Sequence, residues 1–192
     1  MTGVLGKLID EMEKSFPDNK DTAEGTEFVN KFLKENNIHR TEYQGSHSFE
    51  GNHARKLLSV ISTMRPAVQQ LSGEHKHKIL RIISVLEAFD EVVASCFSVH
   101  LVGDYEKKIE VFSELYTALH KDFKVTVTSK VHLVMSHVIK QIKMRHPGYG
   151  IGAMTEQAFE SAHHQLKLEW GKTKVDPSHS DYAQAHLDAI VR

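Results

Sequence analysis

Apolar residues recurring every three or four positions are the feature that most constrains this chain. Between roughly 73 and 98, Ile79, Ile82, Ile83, Leu86, Phe89, Val93 and Phe97 keep that spacing. A helix face repeats every ~3.6 residues, so the pattern predicts a long helix at the centre of a bundle. The same period runs on either side. "GVLGKLIDEMEKSF" predicts a first helix with Val4, Leu5, Leu8, Ile9 and Met12 inward. Polar "PDNKDTAEG" breaks it, and "TEFVNKFLKENN" resumes with Phe28, Phe32 and Leu33 inward. "IHRTEYQGSHSFEGN" reads as a loop, because turn formers crowd it. "HARKLLSVISTM" is helical and ends before Pro66.

Beyond the long helix, "DYEKKIEVFSELYTALHKDF" predicts another, with Asp104 as its N-cap. "KVTVT" (124–128) alternates β-branched residues but is too short for a sheet of its own, and reads as an extended linker. "SKVHLVMSHVIKQIKMRH" predicts a helix with Val131, Met135, Val138 and Ile142 as its seam, stopped by Pro147 and three glycines. A further helix is expected from about Met154 to Lys172, and a last one from about Asp181. The expectation is an all-α, multi-helix bundle of about seven or eight helices with at most one short extended segment. It would form a single helical domain over 1–192: an N-terminal helical hairpin (1–45), central helices (50–120) and C-terminal helices (128–192).

Length and composition agree. The chain has 192 residues, 40% hydrophobic and 26% charged, enough to bury a core without staples. A lone cysteine, Cys96, leaves no disulfide framework and no cysteine-rich zinc site, and a reducing compartment fits it best. The N-terminus turns charged too early for a signal peptide, and no apolar run reaches the ~18–20 residues of a membrane span. An intracellular protein, nuclear or cytoplasmic, with no membrane association is therefore expected. Net charge is only −1, but it is unevenly spread. Residues 121–175 hold nine lysines and arginines against four acids, whereas residues 1–60 hold eight against ten. A basic C-terminal third is suited to phosphates. The fourteen histidines make the charge sensitive to mild acid.

The densest cluster of chemistry is "TEQAFESAHHQLKLEW" (155–170). At 100° per residue, Glu156, Glu160, His163, His164 and Lys167 fall within about 100° of one another. Ala158, Phe159, Ala162, Leu166 and Trp170 form an apolar face directly beside that ridge. A solvated helix face accounts for this pattern. Against it, Glu156 and Glu160 at i,i+4 repel, and the pair gains a purpose if a cation lies between them and another element. His132 and His137 stand i,i+5, about 140° apart on one helix, so a continuous helix does not aim both at one ion. A di-iron bundle needs two Glu-x-x-His motifs facing each other from within its helices, and Glu160 to His163 supplies one. Cys96 sits on an apolar side and reads as core. "GYGIG" follows a helix rather than a strand, which disfavours a phosphate loop. "EGNHARKLL" reads as a turn and first helical turn.

Taken in order, "FEGNHARKLL" (49–58), "TSKVHLVMSHVIKQI" (128–142), "GYGIGAMTEQAFESAHHQLKLEW" (148–170) and "DYAQAHLDAIV" (181–191) resemble a family of transposon-derived proteins of invertebrate genomes. Its pattern is F-x-G-N-x-x-R-K-L-L, a K-x-H helix with a second histidine, then S-E-Q-A-x-E-S-x-H and a tryptophan. "GVLGKLIDE" also resembles the segment directly after the family's H-x-x-L-G stretch. More distantly the arrangement is similar to CACTA-type DDE transposases, whose RNase H-like core carries a helical insertion before its final glutamate. Phe159-Glu160 and Lys167 match the spacing of that last motif. The resemblance implies that Glu160, or the equally placed Glu156, is a catalytic acid holding Mg²⁺, with Lys167 on a DNA phosphate. It extends DNA contact to Lys130, Lys140, Lys143 and Arg145.

The departures are equally specific. No aspartate-bearing strands precede the helices, and His163-His164 replaces a single histidine. The chain therefore resembles the helical insertion plus the final acidic helix, and its end after "LDAIV" suggests truncation. On this reading it is not active alone, since one carboxylate does not hold two metal ions. The expected function is DNA contact together with one acid given to a composite metal site, whose other segments belong to a transposase. Two alternatives stand beside it. One is a non-enzymatic protein-interaction bundle derived from a mobile element. The other is a helical metal-binding protein using Glu160, His163 or His164, and His132.

Overall fold

The computed structural model describes residues 2–16, 24–43, 46–71, 75–144 and 148–154. Among them the chain is all-α apart from one small hairpin. The α-helices are α1 (Thr2–Glu13), α2 (Glu24–Glu35), α3 (Gly51–Val60), α4 (Arg65–Gln69), α5 (His75–Cys96), α6 (Tyr105–Phe123), α7 (Ser129–Ser136) and α8 (Val138–Lys143). Short 3-10 turns occupy Ile61–Met64 and Ile151–Met154. The expected central helix is α5, which packs against α1, α3, α4 and α6. Ile79, Ile82, Ile83, Leu86 and Phe89 are buried as the spacing predicts. Towards its C-terminal end the seam turns: Val92 and Cys96 are buried, while Val93 and Phe97 are only half-buried.

The α5–α6 interface is the heart of one apolar core that reaches from Val4 to Ile142. Phe112 of α6 stands 5.2 Å from Phe89 and 5.8 Å from Tyr116, ring centre to ring centre. The Tyr116 hydroxyl satisfies itself by donating to the Thr126 carbonyl at 3.0 Å, and burial pushes the phenol up to about 12. That bond pins the extended linker 124–128 across the end of α6. His120 Nδ1 lies 2.8 Å from the Val125 carbonyl and does the same. The linker pairs with no strand among the described residues, as expected.

Several local expectations are corrected. The segment read as a loop before α3 contains an antiparallel hairpin, β1 (Arg40–Tyr43) and β2 (Ser46–Phe49), with Arg40 opposite Phe49. Its signal is faint because Phe49 is the large apolar residue of β2 and buries against the core. The hairpin packs on α1, where Arg40 meets Glu13 at 2.7 Å and also donates to Asn30 of α2. Both charged side chains are only 12% exposed, and the contact lacks hydrogen-bond alignment, so it is ionic rather than directional. In α2 the inward face is Gly25, Val29 and Leu33, with Phe28 and Phe32 half-buried. Gly25 is required there, because a Cβ would lie 2.3 Å from the Glu13 carbonyl oxygen. Asp104 adopts a left-handed backbone (φ 64°) and makes no side-chain cap bond; its carbonyl accepts from Lys108 instead.

On α1, Glu11 joins Lys7 (3.0 Å) and Lys78 of α5 (3.2 Å). Burial pushes its carboxyl up, but the two lysine hydrogen bonds and charges outweigh that and hold it below the usual range. A folded value below the unfolded one gives stability that is complete above the unfolded value and lost as pH falls through the folded one. Glu11→Gln is therefore expected to cost up to about 1 kcal/mol at neutral pH and to shrink the acid-induced loss of stability. Urea unfolding at pH 7 and in the carboxylate range checks both.

Candidate nucleic-acid interface

Helices α7 and α8 form the outer layer of the described structure near its C-terminal end. Thr128 caps α7 by accepting the Val131 N–H at 3.3 Å. Val131, Val134, Val138 and Ile142 anchor the pair to the core, so the residues between them turn outward. That exposed side carries Lys130, His132, Leu133, Ser136, His137, Lys140, Lys143 and Met144. Between Asp122 and Glu156 the chain has no acidic residue at all, against Lys124, Lys130, Lys140, Lys143 and Arg145. A stretch with five positive and no negative side chains attracts phosphates.

The three lysines are not equivalent. Lys143 reaches back to Glu106 of α6 at 3.0 Å, and the Tyr105 hydroxyl also donates to that carboxylate at 3.2 Å. The Lys143 bond holds Glu106 below the ordinary carboxylate range, and Glu106 in turn raises the ammonium. Lys130 and Lys140 have no carboxylate partner among the described residues, so their charges are free for a ligand.

The expected separation of His132 and His137 is overturned. The helix is interrupted at His137, whose backbone leaves the helical region (φ −122°, ψ −26°) and ends α7 while starting α8. The two imidazoles stand edge to face with centres 5.2 Å apart. In the seam Val134 is buried, while Met135 is only half-buried. A second pair, which the sequence does not reveal, joins the hairpin to α3. The His39 N–H donates to His53 Nδ1 at 3.3 Å, and the rings lie 5.0 Å apart. His53 is the histidine of "EGNHARKLL", which is the expected turn and first helical turn after the extended Glu50.

Other expectations about chemistry divide cleanly. Cys96 is fully buried, its thiol donates to the Val92 carbonyl at 3.0 Å, and burial raises it to about 11. Such a thiol stays protonated and is core. "GYGIG" is a packing element: the Gly150 N–H donates to Val99 and the Leu101 N–H to Gly148, both at 2.9 Å. The Gly150 donor is thus spent on the chain and not presented to a phosphate. An open pocket of about 270 Å³ lies between α2 and the 61–69 segment, with Phe28, Phe32, Met64 and Ala67 as its apolar lining.

Of the residues proposed for chemistry, Lys130, Lys140, Lys143 and His132 are exposed on the α7–α8 face. Arg145, Glu156, Glu160, His163, His164 and Lys167 lie outside the described residues. Among the described residues no group of three or more His, Cys, Asp or Glu side chains converges as a metal site. No helix among them is long and apolar enough to cross a membrane. Comparison of the chain with protein-family models, with curated proteins and with solved structures returns no match.

Proposed function

We propose that this chain is a helical domain of a transposase-like protein that contacts DNA through the outer face of α7 and α8. The observation that carries this reading is the exposed side of α7 and α8 bearing Lys130, Lys140 and Lys143, in a stretch of chain with no acid between Asp122 and Glu156. Sequence-independent DNA affinity comes mainly from release of counterions by lysine and arginine, which needs positive side chains that are not already neutralised. Lys130 and Lys140 meet that condition more fully than Lys143, which shares its charge with Glu106. The same reading assigns Glu160 or Glu156 as one acid of a composite Mg²⁺ site. Mg²⁺ takes oxygen donors, and the described residues form no carboxylate group suited to it. The remaining acids would have to come from other segments of a transposase, and the chain alone would not cleave DNA.

Anisotropy titrations of duplex DNA against salt test this. Each phosphate contact contributes about −0.9 to the slope of log K on log salt. Lys130→Ala with Lys140→Ala is expected to flatten that slope by about 2 and weaken binding on any duplex sequence, with Lys143→Ala adding less. Lys167→Ala is expected to weaken binding as well. Absence of binding at low salt, or an unchanged slope in the double variant, refutes the reading.

A second reading, a non-enzymatic protein-interaction bundle, draws support from one observation. Leu133 (45% exposed) and Met144 (77%) sit among the lysines, and a purely phosphate-facing surface gains nothing from them. That reading expects Glu156→Ala with Glu160→Ala to leave function intact, whereas the composite metal site does not.

A further inference from the structure

We infer that His132 and His137 form a two-imidazole chelate for a divalent transition ion of the Zn²⁺ class. Continuous helix would hold these side chains about 140° apart; here His137 leaves the helical φ region and the two rings lie in contact. The separation is the right one. An ion about 2.0–2.1 Å from a ring nitrogen lies about 3.2 Å from that ring's centre, so two rings sharing a tetrahedral ion stand about 5.2 Å apart. The observed distance is 5.2 Å. Both side chains are exposed, so an ion reaches them from solvent.

The surroundings favour one tautomer and one class of ion. The Ser136 hydroxyl lies 3.4 Å from His132 Nδ1. When Nδ1–H donates to it, Nε2 is left bare as the ligand atom, the arrangement in which a second group orients a metal-bound imidazole. Neutral imidazoles suit Zn²⁺, Cu²⁺ and Ni²⁺, whereas Mg²⁺ and Ca²⁺ require oxygens. Two protein ligands leave the ion's other positions to water or to an incoming anion. The site is thus distinct in residues and in metal from any Mg²⁺ centre at Glu156 or Glu160, and it does not depend on DNA binding.

The test titrates Zn²⁺, without DNA, into the full chain carrying His163→Gln and His164→Gln, so that the adjacent histidine pair does not compete. Ring-proton resonances of His132 and His137 are followed by NMR, with affinity from calorimetry. The expected result is that both rings shift together along one shared binding curve, while Mg²⁺ moves neither. His132→Gln and His137→Gln are each expected to weaken that binding at least about tenfold. Two unresponsive rings, rings that respond separately, or single variants that bind Zn²⁺ unchanged each overturn the assignment. Since both side chains are solvent-exposed, circular dichroism of the variants is expected to match the parent.

Discussion

Phe112→Ala is expected to lower the unfolding free energy by about 3–5 kcal/mol. Phe112 is fully buried and touches Phe89 on one side and Tyr116 on the other. Truncation removes the transfer free energy of the ring and leaves a cavity between two helices that cannot close. The neighbouring groups are held independently. Tyr116 is fixed by its hydroxyl bond to Thr126, and Phe89 sits in the middle of the 22-residue α5. Domains of this size are stable by only about 5–15 kcal/mol, so the loss is a large fraction of the whole. Urea unfolding followed by far-UV circular dichroism reads it as a lower midpoint with an unchanged slope. A loss under about 1 kcal/mol would mean that the α5–α6 interface is not where the core's stability resides.

Gly150→Ala is expected to cost about 3 kcal/mol, the upper part of the usual overpacking range. A Cβ there would lie 2.3 Å from the Ser98 carbonyl oxygen and 2.9 Å from that of Cys96. These are backbone atoms, so no side-chain rotation relieves the clash. The strand-like bridge between His100 and Tyr149 must open, and with it the Gly150–Val99 and Leu101–Gly148 hydrogen bonds. Gly152→Ala meets Phe97 and Ser98 in the same way. The chain carries its own controls. A Cβ added at Gly51 or Gly103 would meet nothing within 4 Å, and Gly51 opens a helix. Gly51→Ala and Gly103→Ala are therefore expected to be neutral or slightly stabilising, by up to about 1 kcal/mol at Gly51. Thermal melts of the four variants side by side separate crowding from a general intolerance of substitution.

The helices are legible in the sequence because burial and spacing answer to the same geometry. Val4, Leu5, Leu8, Ile9 and Met12 are all within 2% of complete burial, on the face the period assigns them. The hairpin is not legible. Its strands are mostly polar, and what holds it is Phe49 in the core and Arg40 against Glu13, contacts made with residues distant in sequence. The α2 face misleads for a related reason. Phe28 and Phe32 are the larger apolar residues, but α2 approaches α1 so closely at Gly25 that the small-residue side turns inward. In the candidate interface, the lysines of α7 and α8 are legible as a surplus of charge. That Lys143 is partly neutralised by Glu106, while Lys130 and Lys140 are not, is a fact of tertiary packing.

The amino-acid sequence by itself determined the all-α class, the central place of α5 and the basic character of the chain after Asp122. Each of these depends on local period or on composition, which need no knowledge of distant neighbours. Only the tertiary structure decided where the histidines meet. The buried residues Val131, Val134, Val138 and Ile142 follow spacings of three and four that suit an unbroken helix, and neither proline nor glycine marks a stop at His137. The interruption is visible only in the folded backbone. It carries two imidazoles from about 140° of helical arc to a contact 5.2 Å apart.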